Sequence, residues 1–218
     1  MKKNKHPWST KATMEQIYQK KLWGGKVGLD DFYSGNGSHD SELIFPYLEA
    51  VIQFLQSFKT KISLCDLGCG DFNIGSSLVE YSRFYIGVDI VSDLIERNKK
   101  MYPAFEFKCL DISEDNLPDA DCAIIRQVLQ HLSNLEITKI VKKLSKYKYI
   151  VLSEHIPNGY FEPNKNKISS MGIRLKNNSG VDITKAPFNF KFKNSKELVS
   201  VEDKKWKGRI VTTLYESI

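Results

Sequence analysis

No stretch of this sequence approaches the roughly 18 consecutive apolar residues that a membrane-spanning helix needs. Residues 1–10 are basic but lack the apolar block of a secretory signal. Cysteine is scarce and unpatterned. Cys65, Cys69, Cys109 and Cys122 form no C-x-x-C pair, which argues against a zinc ribbon or a redox motif. Three of them sit in or beside apolar segments and Cys69 lies in a glycine-rich turn, so they read as structural thiols of a reducing compartment. His39, Asp40 and Glu42 are close together but have no further ligands to complete a metal site. Repeats and low-complexity tracts are also missing. These absences point to a cytoplasmic protein with no membrane span, no disulfide framework and no metal.

The chain has 218 residues, enough for one substantial core and a cap rather than two full domains. Hydrophobic residues make up 41%, which suits a folded protein and argues against disorder. The net charge of +6 favours anionic ligands in general. A solvated basic face accounts for it more readily, so it does not by itself indicate nucleic acid.

Residues 1–40 are polar and irregular apart from a short helix expected over 11–22. Leu43, Ile44, Tyr47, Leu48, Val51, Ile52, Leu55 and Phe58 then recur at helical spacing, with Pro46 marking a kink or the first turn. Alternation follows. Strands are expected at 62–66, 84–89, 105–109, 122–126 and 149–154. Helices are expected at 75–81, at 93–102 with Ser92 as cap, and from a Ser133–Glu136 capping box to about 146. Residues 156–190 carry Pro157, Gly159, Pro163, Gly172, Gly180 and Pro187 without a period, as a functional lid or a disordered loop does. Two short strands, 197–201 and 209–215, close the chain as an antiparallel hairpin. The fold class is α/β: a Rossmann-like, mostly parallel seven-stranded sheet with helices on both faces and a C-terminal hairpin. It reads as one domain, with 1–40 as an N-terminal lid, 41–155 as the cofactor-binding core, 156–194 as a substrate-side insert and 195–218 as the closing hairpin.

The chemistry centres on Asp66-Leu67-Gly68-Cys69-Gly70, between a strand and a helix. Gly68 and Gly70 let the backbone turn sharply and approach a ligand. Asp66 can accept from a cationic group. Asp89, 23 residues on, can accept both hydroxyls of a ribose. Asp111 can receive an adenine amino group while Ile112 packs on the ring. All three acids end successive strands, so a parallel sheet brings them to one edge, where such folds bind ligands. A dinucleotide fingerprint would need glycine where Asn73 stands, and no Walker loop is present. An acid two residues before the first glycine suits an amino-acid tail better than a pyrophosphate.

On these residues the chain resembles class I S-adenosylmethionine-dependent methyltransferases. Asp66 to Gly70 resembles their motif I, Asp89 their ribose-binding acid and Asp111 their adenine-contacting acid. Val128-Leu129-Gln130-His131-Leu132 resembles the "V-L-x-H-L" segment of many small-molecule members. The resemblance covers about 42–155, with 195–216 matching by topology. One departure is Asp71, where the common pattern has a third glycine. The resemblance implies S-adenosyl-L-methionine as cofactor, S-adenosyl-L-homocysteine as product, and Trp23, Ile90 and Arg126 as further cofactor-binding residues. The Trp23-Gly24 and Tyr33-to-Ser38 segments look like an N-terminal lid.

His131 and His155 follow the fourth and fifth strands and are the candidate catalytic bases, because a neutral imidazole accepts a hydroxyl proton near pH 7. Arg126 ends a buried strand and needs a partner: Glu154 on the next strand, or a substrate anion. Arg174, Asp182 and Tyr33 are the substrate-binding candidates. The expected function is methyl transfer to oxygen or nitrogen of a small molecule, with a sugar or phosphorus-containing group of a bacterial surface polysaccharide as one acceptor class. An RNA or protein methyltransferase and a non-catalytic cofactor-binding protein are the alternatives. Nucleic acid is disfavoured: no RNA-binding module and no Asn/Asp-Pro-Pro-Tyr/Phe tetrapeptide is present.

Overall fold

A computed structural model of the protein describes residues 8–25 and 32–218. Of the expected 1–40 lid, residues 1–7 and 26–31 therefore lie outside the described residues. Helix α1 (Thr10–Gln19) opens on the Ser9 side chain, which accepts from the Ala12 N–H. Helix α2 (Ser41–Gln56) starts at Asp40, whose carboxylate accepts from Glu42. Pro46 sits within α2, one turn later than the first-turn position where proline is best tolerated.

Seven strands follow the alternation of apolar residues: β1 (Leu64–Leu67), β2 (Tyr85–Asp89), β3 (Glu106–Cys109), β4 (Cys122–Arg126), β5 (Tyr149–Pro157), β6 (Asn194–Asp203) and β7 (Gly208–Glu216). They form one sheet in the order β3-β2-β1-β4-β5-β7-β6, parallel through β5, with β7 antiparallel to β5 and β6 antiparallel to β7. The reversal of strand order between β1 and β4 is the switch point at which such sheets bind ligands.

Successive strand residues point to opposite faces. Cys65, Val88, Ile125 and Leu152 pack on one face with α4 (Asn134–Leu144) through Ile137, Ile140, Val141 and Leu144. Leu64, Tyr85, Ile124 and Val151 pack on the other with α2 through Tyr47, Val51 and Leu55. Helix α3 (Ser92–Met101) divides its apolar side, Leu94 on the first face and Ile95 on the second.

Three local expectations change. Residues 75–81 form two 3-10 turns, Gly75–Ser77 and Val79–Tyr81, instead of a helix. A glycine and two serines in so short a span lose more in propensity than one turn recovers. Ser92 is the first residue of α3 and not its cap. The preceding residue, Val91, holds that position and gives its N–H to the Asp89 carboxylate at 3.0 Å. The 156–190 segment is neither disordered nor a loose lid. Its Val181, Ile183, Phe188 and Phe190 are buried in the α4-side core, so the Phe188–Phe190 run is packing. The Ser133–Glu136 capping box forms as expected.

Glu154 shows what this packing costs. Its Oε1 accepts from Leu129 N–H at 3.0 Å, while Oε2 has no hydrogen-bond partner among the described residues. Burial pushes its carboxyl up to about 8, with the Arg174 charge opposing. The folded chain thus keeps a proton that the unfolded chain releases above 4.5. Stability is full below that pH and falls as pH rises to about 8, by up to about 1.4 kcal/mol per pH unit. Glu154→Gln is expected to raise Tm at pH 8.5, by about 2–4 °C per kcal/mol recovered, and to leave it unchanged at pH 4.5. Thermal denaturation across this range checks it.

Candidate active site

The C-terminal tips of β1, β2 and β4 and the turn after β3 surround one cavity of about 510 Å³, within the range of small-ligand sites. Asp66, Asp89 and Asp111 all line it, as do Ile90 and Ile112. Gly68 turns the chain there at a φ of 92°, a conformation that favours glycine. A Cβ on Gly68 would stand 2.3 Å from Val128 Cγ2, so the loop after β4 packs directly on this backbone.

Asp66 is buried and accepts from the Tyr85 hydroxyl. Burial pushes its carboxyl up to about 6; the Tyr85 bond opposes this and the Asp89 charge adds to it. Asp89 accepts from Gly70 N–H at 3.1 Å and Val91 N–H at 3.0 Å. Burial raises its pKa and these backbone bonds pull it back. Asp111 Oδ1 accepts from the Ser113 N–H at 2.8 Å and hydroxyl at 2.7 Å, which fixes its side chain.

Arg126 does not pair with Glu154 as one reading of the sequence expected. Strand alternation explains this. Ser153 is the register partner of Arg126, so Glu154 points to the opposite face. The Arg126 guanidinium lies over the Tyr47 ring at 4.7 Å, and its three nitrogens are buried without a hydrogen-bond partner among the described residues. It lines the cavity beside Asp66. A desolvated cation without a hydrogen-bonded anion costs several kcal/mol, which the Tyr47 ring and the nearby Asp66 charge offset in part.

The N-terminal segment closes over the glycine loop. Asp71, the departure from the glycine pattern, accepts from Ser34 N–H at 2.8 Å and meets His39 Nε2 at 2.6 Å through the same oxygen. Its own N–H donates to Ser34 Oγ at 2.8 Å, and Asn73 donates to the Ser38 carbonyl at 2.6 Å. Tyr18 and Met14 of α1 complete this wall. Sequence reasoning missed Tyr18, Tyr47, Ser34 and Asp203 as wall residues or neighbours of the site. Asp71 in a glycine position was the visible signal for the clasp.

Trp23 lines the cavity and packs against Tyr18 at 5.2 Å and His131 at 5.3 Å. Tyr33 does not line it. Its ring stacks on His39 at 4.3 Å and its hydroxyl donates to Asn36. Asp182 also lies elsewhere, accepting from Thr184 N–H and hydroxyl within its own turn. Arg174 is 1% exposed and donates to the carbonyls of Leu129, Gln130, Leu132 and Lys165 and to Asn134 Oδ1. Its donors are spent clamping the insert to the loop after β4, which excludes the substrate role expected of it.

The two histidines differ. His131 Nδ1 pairs with the Ser170 carbonyl at 3.2 Å and Nε2 with Gln130 Nε2 at 3.4 Å. Burial, with help from Lys167, pushes it down to about 4. It is a neutral wall residue with both nitrogens engaged, not the free base expected. His155 also lines the cavity, and its Nε2 has no hydrogen-bond partner among the described residues. Burial lowers its pKa and Asp203 opposes this.

Residues 65–146 match the family described as "Methyltransferase domain". No curated protein matches the chain. Among solved structures, the N-methyltransferase NodS from Bradyrhizobium japonicum WM9, in complex with S-adenosyl-L-homocysteine, is similar at a TM-score of 0.67 and 10% identity, covering 94% of this chain and 98% of that one. The magnesium protoporphyrin IX methyltransferase ChlM from Synechocystis PCC 6803, with bound S-adenosylmethionine, is similar at 0.58 and 14% identity, covering 98% and 100%. The N-terminal domain of EvdMO1, with S-adenosylhomocysteine bound, reaches 0.59 at 14% identity, covering 97% and 100%. Residues 65–146 thus match a methyltransferase-domain family, and the chain shares the fold of these S-adenosylmethionine-dependent methyltransferases.

Proposed function

We propose that the chain binds S-adenosylmethionine across the tips of β1 to β4 and methylates oxygen or nitrogen of a small molecule. The observation that carries this is the convergence of Asp66, Asp89 and Asp111 on one cavity. Asp89 receives the ribose hydroxyls, with Ile90 beside it. Asp111 receives the adenine amino group against Ile112. Asp66 and Arg126 together suit a zwitterion, the carboxylate taking the ammonium and the guanidinium taking the carboxylate. Trp23 covers the methionine end. When bound, the cofactor supplies an electrophilic methyl group. The chain's part is to align the acceptor and exclude water.

The acceptor side is walled by Trp23, by Met171 to Ile173 of the insert, and by Asp203, Lys205 and Trp206 of the hairpin. Such a wall on three sides favours a small molecule over a polymer. Lys176 and Lys205 in that wall suit a phosphorus-containing or sugar-linked anion, as a bacterial surface polysaccharide precursor carries. His155 is the proposed base.

Methyl-labelled S-adenosylmethionine and the protein, added to a bacterial extract, check the acceptor class. Label is expected in the fraction passing a small-molecule filter. Label retained with RNA or protein and released by nuclease or protease points to the polymer reading instead.

A further inference from the structure

We infer that His155 and Asp203 form a proton-accepting pair that commits the acceptor to a hydroxyl group, His155 taking the proton and Asp203 acting as the positioning residue. This rests on the methyl-transfer reading of the same cavity. Strand alternation puts His155 on the Arg126 face of the sheet, two residues beyond Ser153, the register partner of Arg126. Asp203 ends β6, with β7 lying between it and β5. Gly208 of β7 is the register partner of both Pro157 and Asp203. A Cβ on Gly208 would stand 2.7 Å from the Ile156 carbonyl oxygen and 3.0 Å from His155 Nε2. The missing side chain is therefore the gap through which the ring reaches across β7, to 3.8 Å from Asp203 Oδ2.

Asp203 is itself held, because its Oδ1 accepts from Lys205 N–H at 3.0 Å and Trp206 N–H at 3.2 Å. Both partners line the cavity, His155 is 4% exposed, and its Nε2 is left without a hydrogen-bond partner among the described residues. Buried polar groups are normally satisfied, and the exceptions concentrate where chemistry is done. The other charged groups on this cavity are Arg126 from β4, Lys176 and Lys205 from the turns, Asp40 and Asp71 from the N-terminal clasp, Asp66, Asp89 and Asp111 at the strand tips, and Glu136 of α4. Asp203 is the carboxylate within reach of the ring.

Burial holds the imidazole neutral near pH 7, as a proton acceptor must be. As the acceptor oxygen bonds the methyl carbon, its O–H proton passes to Nδ1, the ring nitrogen turned away from Asp203, while Nε2–H faces the carboxylate. The carbon–sulfur bond of the cofactor breaks with both electrons on sulfur. The imidazolium formed is stabilised by the Asp203 carboxylate and returns its proton to solvent. A neutral amine attacks through its free lone pair and has no need of such a pair at this step.

The test is a pH titration of the full chain labelled with 15N-histidine, with S-adenosylhomocysteine present, the resonance being assigned through His155→Gln. Asp203→Asn is expected to lower the His155 midpoint by about 0.5–1 pH unit, and Asp203→Glu to restore it. An unmoved midpoint overturns the pairing. In parallel, S-adenosylhomocysteine release from S-adenosylmethionine is followed with sugar phosphates lacking amines and with alkylamines lacking hydroxyls. Release with the sugar phosphates is expected, falling about 10²-fold in His155→Gln and about tenfold in Asp203→Asn. Release confined to alkylamines, or undiminished in His155→Gln, overturns the inference. With turnover of neither set, the titration decides alone. Absence of S-adenosylhomocysteine binding by wild type removes the methyltransferase reading instead. Binding with an unmoved titration removes only the pair.

Discussion

Asp89→Ala is expected to weaken S-adenosylhomocysteine binding by about 10²–10³-fold, the loss of two hydrogen bonds to a charged acceptor. The side chain sits where β2 ends, and its two oxygens already order the site by accepting from Gly70 and Val91. These bonds hold the glycine loop and the start of α3 in place while leaving lone pairs directed at the cavity. Removing the carboxylate therefore loses the ribose contacts and slackens both loops. Adenosine carries the same ribose, so its affinity is expected to fall by a similar factor. Calorimetric titration of both ligands checks this. A variant that binds either within about threefold of wild type contradicts the ribose role, since threefold is under 1 kcal/mol.

At the other end of the ligand, affinity for S-adenosylmethionine is expected to depend on pH through Asp66. Its carboxyl is held at about 6 by burial, so part of it is protonated at mildly acidic pH. Binding an ammonium requires the charged form. The dissociation constant should rise about tenfold for each pH unit below 6 and level off above 7. Asp66→Asn should remove that slope and weaken binding at pH 8 by about 10–100-fold. Arg126→Met is expected to weaken binding by a similar amount without altering the slope, because it addresses the carboxylate. Adenosine lacks the amino-acid tail, and its affinity should change little in either variant. A pH slope that survives in Asp66→Asn assigns the titration to another group.

The core of the fold was legible because the physics that builds it is local and periodic. Apolar β1, β2, β4 and β5 alternate with helices, and three acids fall at strand ends, so the parallel edge they share followed directly. The short elements were less legible. At 75–81 propensity decided against a helix, and α3 takes in Ser92 because Val91, tied by its N–H to the Asp89 carboxylate, holds the cap position without a side-chain cap. Side-chain partnerships across the insert were hidden altogether. Arg174 is satisfied mostly by backbone carbonyls, which leave no charge pattern in a sequence. Glu154 and Arg126 are on adjacent strands but on opposite faces, a difference of one residue in register. Asp203 reaches His155 only because Gly208 intervenes, a relation spanning 155 to 208 that no local pattern encodes.

The most direct test of the account is calorimetric titration of the wild-type protein with S-adenosylhomocysteine at pH 7.5, alongside NAD. Binding at one site per chain with a dissociation constant below ~100 μM, the range of physiological small-molecule affinities, and no response to NAD is the predicted result. No binding of S-adenosylhomocysteine, or preferential binding of the pyrophosphate-bearing nucleotide, contradicts it.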